Sequence, residues 1–152
     1  MRRILLAVAV LTIPASAVTL GLSGTAWAGG GTSCSTLTGN VTGTSGSLSG
    51  CTDTANTGGS GTFPISAFTS GSGTITWATG GTTTVTVTAT VPKKDEKDPH
   101  GSCAAGDTEF NVKGKVTGST GVGSSVKGKI KGEVCLDASG NLSIEPGTVL
   151  KF

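Results

Sequence analysis

The chain has 152 residues, 26 of them glycine, with 13% charged and 4% aromatic side chains. That length suits one domain, and so few large apolar groups exclude a thick core. The formal charge of +2 rests on Arg2 and Arg3; beyond them nine lysines balance nine carboxylates. A neutral remainder without arginine argues against a nucleic-acid partner, because phosphate neutralisation supplies most of that affinity.

Met1-Arg2-Arg3 is a short basic start, Ile4 to Leu11 is an unbroken apolar run, and Ala26-Trp27-Ala28 has the small-x-small form of a cleavage site. Together they predict a signal peptide over residues 1–28, with Ala15-Ser16-Ala17 as a second cleavage possibility. Thr12, Pro14, Ser16 and Thr19 interrupt the apolar stretch, so no stable membrane span is expected after cleavage. The remaining 29–152 read as a single β domain that is secreted or extracellular, or associated with the cell wall.

Export makes Cys34, Cys51, Cys103 and Cys135 candidates for two disulfides, with three possible connectivities. Opposed residues in an antiparallel hairpin share a face and keep a constant sum of numbers. Cys34 opposite Cys51 sets Leu37 opposite Leu48 and puts the turn at Thr42-Gly43. Cys103 opposite Cys135 sets Val112 opposite Val126, Phe110 opposite Gly128, and a turn at Gly118-Ser119-Thr120. Both registers satisfy cysteines, apolar parity and turn together, so the expected bridges are Cys34–Cys51 and Cys103–Cys135. Parity puts both opposite the main apolar face unless a bulge intervenes.

Between these hairpins, Val85, Val87, Ala89 and Val91 alternate with Thr84, Thr86, Thr88 and Thr90. Period two is a strand signal. A turn at Gly80-Gly81 pairs Trp77 with Val85 and Ile75 with Val87, which demands a three-residue loop with a glycine bulge. The charged stretch from Lys93 to Asp98 lies in a solvated loop, 92–102. No helical period is present. The pattern predicts an all-β fold: a single antiparallel β-sandwich or barrel of about eight to nine strands, disulfide-stapled. Glycines at inward positions 114, 128 and 132 call for a ring or a crossing strand packed against them.

The candidate chemistry is sparse. His100 is the only histidine and lies in the charged loop, without a defined acid–base partner. Oxidised cysteines offer no thiolate, and their spacing is not that of a zinc site. Asp95, Glu96 and Asp98 are interleaved with lysines and lack calcium-loop spacing. No catalytic residue, metal or cofactor is expected. Asn40-Val41-Thr42 and Asn141-Leu142-Ser143 are glycosylation sequons. Thr82 to Thr90 places a hydroxyl ladder on one strand.

The sharpest polar feature is the face carrying Lys113, Lys115, Lys127, Lys129 and Lys131. The 103–135 register puts Lys113 opposite Ser125, Lys127 opposite Asn111, and Lys129 opposite Glu109 as an ion pair. Two readings compete. One is an anion-binding strip for an envelope polymer or anionic lipid. The other is a lysine-protected sheet face that blocks edge-to-edge aggregation.

Gly71-Ser72-Gly73-Thr74-Ile75-Thr76-Trp77 before a Gly-Gly turn, Val134-Cys135-Leu136, and the closing Pro146-Gly147-Thr148 with Lys151-Phe152 resemble small exported β-rich proteins of actinobacteria. The resemblance implies localisation and fold, and it carries over no functional residue. The expected function is that of a secreted non-catalytic structural or interaction module, its partner an envelope polymer or an extracellular protein. The alternatives are a small-ligand or glycan-binding barrel, and an inhibitor of an extracellular hydrolase that presents the 92–102 loop.

Overall fold

The computed structural model describes residues 31–93, 103–121 and 126–152. Residues 1–28, read as a signal peptide, together with His100, Asp95, Glu96, Asp98 and most of the charged loop, lie outside the described residues. Among the described residues nine strands form one sheet: β1 (Ser33–Asn40), β2 (Ser45–Cys51), β3 (Ser60–Pro64), β4 (Ser72–Trp77), β5 (Thr82–Thr90), β6 (Thr108–Thr120), β7 (Lys129–Leu136), β8 (Asn141–Ile144) and β9 (Leu150–Lys151). Every pairing is antiparallel. Each of β1 to β7 pairs with the next, and β8 returns to β1, so the sheet closes into a barrel. The expected sandwich-or-barrel thus resolves as a barrel.

The last stave is interrupted. β8 pairs with β7 and with the Gly39–Asn40 end of β1. β9 pairs with β7 at Lys131 and with the Ser33–Cys34 end of β1. Pro146 and Gly147, the latter at φ 84°, turn the chain out of the wall between them.

The interior follows from alternation. Leu37, Leu48, Phe63, Ile75, Trp77, Val85, Val112, Ile130, Val134 and Leu150 are buried in one cluster. A barrel this narrow must make room for its aromatics. Gly61 sits directly opposite Trp77, and a Cβ there would stand 2.7 Å from the indole. Of the three glycines expected inward in the second half, Gly132 alone meets a crossing strand; Gly128 is exposed, and Gly114 packs on the neighbouring strand β5. Gly132 receives Leu150 from the crossing strand β9, Gly128 lies beside the Phe152 backbone, and Gly114 lies against the Thr86 carbonyl.

Two single-turn helices interrupt the strands: α1 (Thr54–Thr57) and α2 (Ala67–Ser70). Four residues are too few to show a 3.6-residue period, which is why alternation alone missed them. α2 puts Ala67 and Phe68 beside the interior, Phe68 meeting Phe63 edge-to-face at 5.8 Å. A cavity of about 40 Å³ remains there, lined only by apolar residues and glycine.

Both expected disulfides form, and no cysteine is free. The Cys34–Cys51 register is the expected one, with Leu37 opposite Leu48. This bridge nevertheless joins the core. Gly50, at φ 60°, breaks the ladder between the 34–51 and 36–49 pairs, and that irregularity turns both cysteines inward. Cys135 keeps its outward parity, opposite Glu109 and Ser143, and is covered there.

Two registers differ from expectation. β6 and β7 pair six positions away in the sum: Val112 faces Gly132 and Phe110 faces Val134. β6 runs through the expected turn to Thr120, where it still pairs with β5. Cys103 precedes β6, with a turn from Ala104 to Asp107 between, so its bridge ties the strand pair without being a rung of it. In the β4–β5 hairpin Gly73 faces Val85 and Ile75 faces Thr83. The loop does have three residues, Ala78-Thr79-Gly80, closed by Trp77 and Gly81; Gly80 at φ 88° supplies the left-handed position.

Candidate functional site: the lysine face of the barrel

The corrected register changes the lysine face most. Lys113 stands directly opposite Lys131, and Lys115 opposite Lys129. The expected Lys129–Glu109 pair does not form, since Glu109 faces Cys135; Lys127 does not face Asn111, which pairs with Glu133. Ser125, the expected partner of Lys113, lies outside the described residues. β9 adds a lysine that sequence reasoning missed, because Lys151 pairs with Lys131. Its place between β7 and β1 depends on long-range closure, which no local period reports.

Lys113, Lys115, Lys127, Lys129, Lys131 and Lys151 are all exposed. Five of them occupy two rungs across three staves. Neighbouring strands are about 4.8 Å apart and alternate residues on one strand about 6.7 Å apart. Like charges directly opposed are unfavourable. The face is therefore a concentration of positive charge that the fold tolerates. Lys127 lies just before β7 and extends the group along the chain.

Carboxylates bound the face at one end. Glu133 follows Lys131 on β7. Beyond it, Glu109 and the buried Glu145 come together with Cys103, their ligand atoms within 4.8 Å of one another. The Cys103 sulfur is held in its disulfide, so it is not a thiolate ligand. The Glu145 amide donates to the Glu133 carbonyl at 3.0 Å, which fixes the turn out of the broken stave over this region.

The rest of the outer surface is different in kind. A row of hydroxyls runs rung by rung through Thr38, Ser47, Thr62, Thr76, Thr82 and Thr120, on β1 to β6. Thr38 and Ser47 bond at 2.6 Å, as do Thr82 and Thr120. This row crosses the strands; of the ladder expected along Thr82 to Thr90, Thr82 alone belongs to it. Asp53 is the one charged residue from 33 to 92. Among the described residues the charges borne by strands all lie on β6, β7 and β9.

Two turn sites have settled polar networks. The Asp137 carboxylate accepts from the Ser139 amide and from the backbone and side-chain nitrogens of Asn141, each at 2.8 Å. The Asn141 side chain, reinforced by its backbone amide, holds the Asp137 carboxyl below the usual carboxylate range. The two sequon asparagines are cross-strand partners, Asn40 Nδ2 donating to Asn141 Oδ1 at 3.0 Å.

Among the described residues no helix is long and apolar enough to cross a membrane. No family model, no curated protein and no solved structure matches the chain.

Proposed function

We propose that this protein is a secreted, non-catalytic interaction module that holds an anionic extracellular or envelope partner against its β6–β7–β9 face. One observation carries the reading: lysines are directly opposed to lysines across three neighbouring staves. Protection of a sheet edge is the competing explanation for such lysines. β6 and β7 are not edges, since each pairs on both sides and the barrel is closed. Repulsive pairs retained where no edge needs blocking fit a charged partner better.

Export is supported by the signal-like residues 1–28 and by two disulfides, which persist in oxidising compartments. The small-ligand alternative has less support: the interior cavity is about 40 Å³, against several hundred in typical ligand sites.

The test is to express the full chain in a secreting host. The reading expects protein in the medium beginning at Gly29, with all four cysteines oxidised. That protein should be retained on a phosphorylated cellulose column at low salt and released by salt. Retention in the cytoplasm with free thiols, or passage straight through the column, would refute it.

A further inference from the structure

We infer that the partner is a linear phosphate polymer lying across the strands, along the rung Thr88–Lys113–Lys131–Lys151–Ser33; this rests on the anion-binding reading above. The five residues are consecutive cross-strand partners on β5, β6, β7, β9 and β1. Four steps of about 4.8 Å give a path of about 19 Å. A parallel rung, Thr86–Lys115–Lys129, lies beside it.

Three features select this ligand. The first is shape. The face is the outside of a barrel, so a single phosphate meets one or two ammonium groups and stays hydrated. Useful affinity needs many such contacts on one chain, each releasing counterions.

The second is direction. Along β7 the sign reverses within one step of the pleat, from Lys131 to Glu133. Across the strands it stays positive for three staves and ends in hydroxyls, Thr88 and Ser33. A polyanion extended along β7 past Lys131 meets a carboxylate; one running across the strands does not.

The third is the donor type. The only arginines of the sequence are Arg2 and Arg3. The guanidinium fork suits carboxylate and phosphate alike; without it the face offers lysine point charges, which serve phosphate. A bilayer is a poorer fit. The exposed large apolar residues among those described are Val41 and Val91, and neither stands in the rung. Stable membrane attachment needs such anchors beside the charge.

The experiment measures binding of the oxidised protein to linear polyphosphates of defined length, by titration calorimetry at several salt concentrations. Affinity should rise with length and level off once the chain spans the rung, with orthophosphate at least about 100-fold weaker. Lys113→Gln, Lys131→Gln and Lys151→Gln should each weaken long-chain binding roughly three- to tenfold and lower the salt slope by about one. Lys115→Gln and Lys129→Gln should do so less. Lys151→Arg should keep binding, and thermal melts of every variant separate lost binding from lost fold.

The inference is overturned if polygalacturonate of equal charge or phosphatidylglycerol vesicles bind as tightly. It is also overturned if affinity ignores length, or if Lys151→Gln melts normally and binds normally. The broader anion-binding reading survives those results and falls only if none of these polyanions binds.

Discussion

Trp77 on β4 donates its indole N–H to the hydroxyl of Thr83 on β5, at 2.8 Å, inside the barrel. Both side chains are buried, and the Phe152 ring packs edge-on to Trp77 at 5.8 Å. Thr83 also accepts from Ser119, which ties β6 into the same polar point. Thr83→Val keeps the shape and removes the acceptor, leaving a buried N–H unsatisfied. The expected loss is about 1–3 kcal/mol, read as a lower urea midpoint. A change under about 0.5 kcal/mol would mean that the indole finds another partner.

Lys131 has lysines on both flanks, at 113 and 151. Lys131→Glu turns repulsion into attraction and should stabilise by about 0.5–1 kcal/mol. That is a rise of about 2–4 °C in Tm at low salt, shrinking at high salt as the charges are screened. The same variant should lose polyanion binding. A stabilising change that removes binding is the expected signature of a site kept for function.

Asp137 makes the β7–β8 turn depend on its charge. Its folded pKa is depressed, so its contribution is fully present above the unfolded value of about 3.9 and is lost as pH falls through the lower folded value. Asp137→Ala should therefore be less stable than the parent at pH 7, with the two melting temperatures converging in acid below pH 4. Parallel curves down to pH 2 would show that the carboxylate acts through geometry alone.

The two disulfides should differ in a way that loop length does not suggest. Chain entropy assigns about 3 kcal/mol to the 17-residue separation of Cys34–Cys51 and about 3.7 kcal/mol to the 32 of Cys103–Cys135. Cys34 and Cys51, however, are part of the core cluster. Replacing that pair with alanine also opens a cavity. The Cys34→Ala/Cys51→Ala protein should be the less stable of the two double variants by guanidinium denaturation, reversing the entropic order.

These residues show how far a strand pattern reads. Cys34 and Cys51 both lie within strands, so opposing them set the true register. Cys103 lies before its strand, and a disulfide constrains distance, 5.6 Å between Cα atoms, without making its cysteines a rung. The error was an even number of residues, so every side chain kept its face: Val112 and Ile130 stayed inside, and the lysines stayed outside. What changed was which residue met which. That exchange converted a supposed Lys129–Glu109 ion pair into opposed lysines. Parity is local and legible; partnership depends on where the turn falls: the β4–β5 hairpin turns over Ala78-Thr79-Gly80, centred two residues before the expected point, and β6 runs on to Thr120.

The broken stave also sets an order in time. β1 occupies residues 33–40, and the residues that seal it to β7 are 141–151. Contacts so distant in sequence form late, after local hairpins. As the chain lengthens from its N-terminus, its local hairpins can zip in turn. The two open margins at β1 and β7 must wait for the final dozen residues. Closure is then the last act of folding, and the seam serves as its clasp.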